Sequence, residues 1–437
     1  MTYTQYPKYK DSGIEWLGEI PENWEVKRLK YTSTINDEAL SETTDPAYEF
    51  LYVDIGNVEY LKGICSKEPQ VFEKAPSRAR RIVRDGDTII PTVRTYLRAI
   101  APIRKPEDNL IVSTGFAVVR PWHINSNYLS YALQSPYFVE TVVSRSTGVS
   151  YPAINAPEIG MIPILIPALD IQRAIAAFLD RETARIDILT EKKQKQIELL
   201  QEKRSALISH AVTKGLDPNV KMKDSGIEWL GEIPEGWEAV PLKRVFRILN
   251  GSTPKSGEPS FWDGDIPWVT PDDLGDLKSD TLLNTQRMIT EEGYNSCGTS
   301  LAPTGSLVLS TRAPIGHLAI AGIPFCTNQG CRCLVFRNKD NHRFYYYQLL
   351  VAKQELESWG QGSTFKEIGR DKLGAVSLLN SPFDEQRSIA AFLDQETARI
   401  DALLEKVRES IEKLREYRTA LISAAVTGKI DVRGEAA

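Results

Sequence analysis

"QRAIAAFLDRETARIDIL" (172–189) returns 214 residues later as "QRSIAAFLDQETARIDAL" (386–403). The likeness continues through "EKKQKQIELLQEKRSALISHAVT" and "EKVRESIEKLREYRTALISAAVT". Neither copy holds a proline or glycine, from Ile171 to Lys214 or from Glu385 to Thr427. Both are rich in Ala, Leu, Glu, Lys, Arg and Gln, the residues that lose least on entering a helix. Asp170 and Asp384 stand just ahead as candidate N-caps, and Gly215 and Gly428 just beyond as C-terminal stops. Each block therefore predicts one long helix, roughly 65 Å at 1.5 Å per residue.

The apolar positions add a seam. Leu393, Ile400, Val407, Leu414 and Leu421 recur every seven residues. The matching series Leu179, Ile186, Lys193, Leu200, Leu207 has one interruption. Leu189, Ile197, Leu403 and Ile411 widen the stripe. This is coiled-coil periodicity. One such rod cannot bury its own stripe, so the economical solution pairs the two copies within the chain, with a coiled-coil dimer between chains as the alternative. Halves related by a pseudo-twofold axis make the pair antiparallel.

A second, shorter duplication opens each half. "KDSGIEWLGEIPE" runs from Lys10 to Glu22 and returns unchanged from Lys223 to Glu235. The layout is A–x–B–A–y–B, and a period this long is a domain duplication rather than a solenoid. Segments x and y do not match in sequence but follow one plan. In x, 48–56, 87–94 and 115–121 read as strands and 126–144 as a helix. In y, 265–270, 306–312, 317–321 and 331–337 read as strands and 341–358 as a helix. Each helix runs into a Gly/Ser/Thr loop, "RSTGVSYPAI" or "GQGSTFKEI", then a short strand, then block B. Expected boundaries are 1–165 and 216–380 for two globular α/β domains, 166–215 and 381–430 for the helices, and 431–437 for a tail. Trp16 and Trp229 are expected to pack each domain start against the helix ends, with partner docking as the alternative.

Bulk properties fit a soluble protein. Of the 437 residues, 42% are hydrophobic and 25% charged. "MIPILIPAL" (161–169), the best apolar run, is broken by Pro163 and Pro167, so no membrane span is expected. No secretory signal is visible, and five cysteines without framework spacing suit a reducing cytoplasm. The net charge of −5 argues against a free-standing nucleic-acid binder.

Catalytic motifs are missing. Gly428–Lys429 lacks the glycine and hydroxyl of a phosphate loop, and "NSPF" (380–383) lacks the first proline of an amino-methyltransferase loop. Asp272, Asp276 and Lys278 sit in one turn rather than in a nuclease constellation. Cys326, Cys331 and Cys333 have no strong zinc spacing. "CRCLVFR" alternates as a strand, which puts Cys331 and Cys333 on one buried face. No metal site and no nucleophile triad is expected.

DNA-reading residue types do accumulate. Arg78, Arg80, Arg81 and Arg84 fall within eight residues, and Arg94, Tyr96 and Arg98 would share one face of an extended chain. Loop candidates are Ser146, Thr147, Ser150 and Tyr151 in x. In y they are Thr253, Lys255, Arg312, Asn328, Gln329, Ser363, Thr364 and Lys366. Arginine and lysine suit guanine edges and phosphates, and asparagine and glutamine suit adenine edges.

The repeated blocks, with "GSTPKSGEPSFWDGDIPWVTPDDL", "STRAPIGHLAI" and "CTNQGCRCLVF", resemble the specificity subunits of type I restriction–modification systems over essentially the whole chain. The resemblance implies an α+β fold: two globular α/β target-recognition domains joined by two long antiparallel coiled-coil helices. It implies a non-catalytic subunit that reads a split, asymmetric double-stranded DNA site. Two methyltransferase subunits using S-adenosylmethionine to modify adenine N6, and two restriction/translocase subunits using ATP and Mg²⁺, would be its partners. This chain would hold no cofactor. A scaffold meeting two copies of one partner must show one surface twice, while reading two half-sites requires different middles. The competing reading is a coiled-coil adaptor with two protein-binding heads; a fused restriction–methylation enzyme would need the absent motifs.

Overall fold

The computed structural model describes residues 3–435 except Trp16, Ala313, Lys339, Asp340 and 362–365. Two compact units emerge, and their boundaries cut through the long helices. One unit holds the residues up to Gln194 with those from Arg408 onward, and the other holds Lys195–Val407.

The helices span Leu169–Lys214 and Phe383–Val426. Asp170 and Asp384 therefore lie inside the first turn rather than at the cap, where a carboxylate still meets the positive end of the helix dipole. Each unit contains a stretch of both helices. In the second unit Arg204 grips Asp401 through two bonds (Nε to Oδ1 2.9 Å, Nη2 to Oδ2 3.2 Å), and a Cβ on Gly215 would lie 3.2 Å from Glu385. Position 204 faces 401 and 215 faces 385, so the stretches run antiparallel. In the first unit Arg418 Nε meets Asp187 Oδ1 at 3.3 Å, the matching pair of the repeat.

Leu179, Ile186, Ile197, Leu393, Ile400, Val407, Ile411 and Leu421 are buried. Leu200, Leu207, Leu414 and Lys193 are half-buried. The expected widening through Leu189 and Leu403 does not occur: they are 40% and 42% exposed, and the seam is narrower than the composition suggested.

"KDSGIEWLGEIPE" is a small hairpin in both places. Tyr9–Asp11 pairs with Glu19–Pro21, and Met222–Asp224 with Glu232–Pro234. Asp11 and Asp224 each accept from the amide of the glycine two residues on, at 2.9 Å. What packs against the helix ends is the next tryptophan. Trp24 and Trp237 are each 1% exposed, beside Gly428 and Gly215 respectively. Trp229 is only partly buried against the core, and Trp16 lies outside the described residues.

Each globular domain closes by pairing its start with its end: Glu25–Arg28 with Pro163–Ile166, and Glu238–Pro241 with Ser377–Asn380. Between them the strand orders correspond. The first unit has a sheet ordered Ala101–Pro102, Thr88–Pro91, Phe116–Pro121, Ser33–Ile35. In the second, Leu318–Ala321, Leu307–Ser310, Cys331–Phe336 and Phe246–Asn250 follow the same order, with Thr281–Leu282 added at the edge. A second sheet also recurs, with Glu49–Val53 between Glu68–Val71 and Leu110–Ser113, and Trp262–Val269 between Arg287–Ile289 and Cys326–Thr327; the first copy adds Ala79–Ile82 beside Leu110–Ser113. Two unlike sequences thus build one topology. Cys326, Cys331 and Cys333 are buried in these strands, and burial pushes the Cys326 and Cys333 thiols up to about 12.

The expected domain helices are each split, into Ser126–Gln134 and Pro136–Arg145, and into His342–Val351 and Lys353–Ser358. At Ser135–Pro136 the missing proline amide explains the break. Each first half is yoked to a long helix by the same residues. Gln172 accepts from the Asn125 amide at 2.8 Å, and Gln386 from the Asn341 amide at 3.2 Å. Tyr131 donates to Asp180 and Tyr347 to Asp394, both at 2.8 Å, with Thr183 and Thr397 beside the phenols. A guanidinium completes each cluster, but from different elements: Arg104 in one and Arg343 in the other. Burial opposes both charges, yet Asp180 for Arg104, and Asp394 with Asp280 for Arg343, outweigh it and hold both arginines above their ordinary range. Among the described residues no helix is long and apolar enough to cross a membrane.

Candidate nucleic-acid interface

In the first unit the strand Thr88–Pro91 stops short of the expected Arg94. Thr95–Leu97 forms one tight turn, flanked by Arg94 (φ 51°) and Arg98 (φ 54°) in the left-handed region. Arg94, Tyr96 and Arg98 therefore do not alternate along an extended face. The buried Thr95 anchors the turn, its hydroxyl 2.8 Å from the Ser146 hydroxyl, which itself reaches the Val142 carbonyl at 2.7 Å. Ser146 is thus committed internally. Arg98 pairs with Glu140 at 2.6 Å and lies over the Tyr60 ring. Tyr96 is exposed.

The loop after Pro136–Arg145 closes on itself through paired bonds between Thr147 and Ala153, both 2.9 Å. Val93 bridges to the same Ala153. This carries Tyr151 over to Arg94, whose guanidinium carbon sits 5.0 Å from the ring centre. Val149 projects fully into solvent. Ser150 is exposed nearby.

The arginine cluster separates in space. Ala79–Ile82 is a strand, so Arg80 and Arg81 leave opposite faces. Arg80 stacks 4.5 Å from the Phe72 ring centre and donates to the Ala79 carbonyl. Arg81 is half-buried, which lowers its pKa, and Arg84 is held by Glu38. Arg78 stays exposed and pairs with Asp54 at 3.0 Å. Arg78, Arg94, Tyr151 and Asp54 line one cleft of about 290 Å³. Sequence reading brought the first three forward and missed Asp54.

The second unit repeats the device with other residues. Arg312, two residues past the strand Leu307–Ser310, bridges to Glu367, which also bridges to Gln361. Thr311 and Arg312 amides donate to the Gly330 carbonyl at 2.8 and 3.2 Å. Asn328 Oδ1 accepts from the Gly330 amide at 2.9 Å, and Thr253 donates to Gln329 Oε1 at 2.5 Å. Gly251 permits this closeness: a Cβ there would lie 1.9 Å from the Asn328 carbonyl oxygen. Thr253, Asn328 and Gln329 are thereby gathered with Arg312, while Lys255 and Lys366 are exposed on adjoining segments. Arg332, missed in the sequence, supports the turn by donating to the Gln329 carbonyl at 2.8 Å. Ser363 and Thr364 lie outside the described residues.

Each unit therefore places arginine and hydroxyl groups on loops held by paired backbone bridges, and the second adds the side-chain amides of Asn328 and Gln329. The family described as "Type I restriction modification DNA specificity domain" matches twice, over residues 21–199 and 234–413. The chain belongs to that family.

Members similar along their length include the putative type I restriction enzyme MjaX specificity subunit of Methanocaldococcus jannaschii. It is 25% identical, over 95% of this chain and 96% of that protein. The MjaIX specificity subunit of the same organism is 33% identical, but the match spans only 42% of this chain and 43% of that relative. Among solved structures, the HsdS subunit from Thermoanaerobacter tengcongensis matches with a TM-score of 0.55 at 26% identity, covering 94% and 98% of the two chains. A chain from work described as "Structural basis underlying complex assembly and conformational transition of the type I R-M system" matches at 0.77, with 25% identity and 94% and 99% coverage. In this family frame the two matched segments each take in one recognition domain and part of a long helix.

Proposed function

We propose that this specificity subunit reads a split, asymmetric double-stranded DNA site, each unit taking one half-site through the loops described above. It directs adenine-N6 methylation and restriction by partner subunits: two methyltransferase copies bound to the repeated surfaces, and two translocase copies. The chain contributes recognition, and S-adenosylmethionine, ATP and Mg²⁺ belong to the partners. The observation carrying this reading is one topology, built twice, that holds unlike polar loops at equivalent positions.

The net charge of −5 fits a subunit whose partners share the phosphate contacts. The test is DNA binding at physiological salt by fluorescence anisotropy. The isolated chain should bind weakly, and the assembled methyltransferase complex tightly and with sequence preference. No sequence-preferring DNA binding by the assembled complex would overturn the reading and favour an adaptor.

A further inference from the structure

Arg78 and Arg94 share a cleft in the first unit but are held in different ways. Arg78 leans on Asp54 Oδ2 at 3.0 Å while its side chain stays 59% exposed. Asp54 cannot easily move. Its Oδ1 accepts from the Ile55 amide at 2.8 Å, and its own amide donates to Asn57 Oδ1 at 2.8 Å. Asn57 is fixed in turn by Ser66 at 2.8 Å and Glu68 at 3.2 Å. An exposed ion pair alone contributes little to stability. A carboxylate locked on one side of an exposed guanidinium instead fixes where the remaining N–H fork points.

Arg94 is held by backbone and stacking. Its φ of 51° is a conformation that an L residue with a Cβ adopts at a cost, and the Thr95 anchor and the Val93–Ala153 bridge maintain it. Tyr151 supports the plane of the guanidinium. Two pre-oriented guanidinium groups beside an exposed tyrosine suit hydrogen bonding to the acceptor pair of a guanine edge in the major groove.

We infer that Arg78 and Arg94 determine guanine preference in the half-site read by the first unit, with Asp54 as the positioning residue for Arg78. This rests on the DNA-reading function proposed above. It adds a base identity, the residues that impose it, and a carboxylate that touches no DNA itself.

The experiment uses the full chain assembled with its methyltransferase partner, acting on DNA with randomised half-sites, with methylated adenines located by sequencing. If the wild-type complex yields no split motif, the function itself fails, independently of this inference. Given a motif, Arg78→Gln and Arg94→Gln should each lower the preference for guanine within one half-site by about tenfold or more. The other half-site should be unchanged. Asp54→Asn should loosen the same position as Arg78→Gln, because Arg78 loses the carboxylate that orients it. Arg78→Lys and Arg94→Lys keep the charge without the fork. They carry the test if a glutamine variant fails to fold by thermal melting, and should weaken the guanine preference, because a lysine reaches O6 and N7 without a fixed fork. A half-site without guanine would overturn the inference. So would intact preference in these variants, or a uniform loss of methylation with base ratios retained, which marks phosphate contacts only.

Discussion

The indole N–H of Trp237 donates to Oε2 of Glu385 at 2.9 Å, linking the start of the second recognition domain to the first turn of a long helix. The first repeat lacks this bond. Ile171 stands where Glu385 stands, and the equally buried Trp24 Nε1 has no hydrogen-bond partner among the described residues. An unmet buried donor costs about 1–3 kcal/mol. Glu385→Ile, which copies the first repeat into the second, should therefore destabilise the protein by about that amount. The urea transition followed by tryptophan fluorescence measures it. A midpoint unchanged from wild type would show that the bond contributes nothing.

The glycines that end the long helices are not equivalent. Both have positive φ, 78° at Gly215 and 73° at Gly428. A Cβ on Gly428 would lie 2.4 Å from the Pro21 ring, whereas on Gly215 the nearest atom is a carboxylate oxygen at 3.2 Å. A left-handed alanine costs about 1–2 kcal/mol at either site, and only Gly428→Ala adds a clash with a rigid ring. Gly428→Ala should lower the melting temperature more than Gly215→Ala. The reverse order would contradict the packing described.

Acid should loosen the clasp between the two chain ends. Asp431 donates its amide to the Thr4 carbonyl at 2.8 Å, and its carboxylate is bonded by Arg433. That hydrogen bond lowers the Asp431 pKa against the opposing effect of burial. A lowered carboxyl pKa contributes stability that is present above the ordinary value, about 4, and is lost as pH falls through the folded value. Amide exchange over residues 3–9 and 429–433, corrected for intrinsic rates, should lose protection below about pH 4. Arg433→Gln should remove that step, and a step of equal size in the variant would refute the assignment.

Thiol labelling tests the cysteine cluster. Burial raises Cys326 and Cys333 to about 12 and Cys331 well above its usual range, so little thiolate exists at neutral pH. Cys65 is exposed. Under native conditions at mild alkaline pH, a thiol reagent should modify Cys65 first. The three buried cysteines should react only on unfolding. Their rapid native labelling, or a loss of structure on adding a chelator, would point to a metal site instead.

The long helices and the duplication were legible because period and composition act locally along the chain. Topological likeness between the middles was legible from strand spacing, although no residues matched. What escaped the sequence depends on contacts distant along the chain. Asp54 and Arg78 meet across the strand Leu110–Ser113, and Asp180 and Asp394 find Tyr131 and Tyr347 about 50 residues away. The left-handed turn at Arg94 and Arg98 also defeated the alternation argument, since nothing in "TVRTYLR" marks positive φ. Trp24 and Trp237 sit just beyond the identical stretch that holds Trp16 and Trp229, so the exact repeat does not mark them.

The most direct test of the central claim is a genome-wide map of N6-methyladenine in cells that express the partner methyltransferase, with and without this chain. The account predicts one split motif, with two unlike half-sites at a fixed spacing, that disappears when the chain is removed. An identical map in both, with the methyltransferase present, would contradict it.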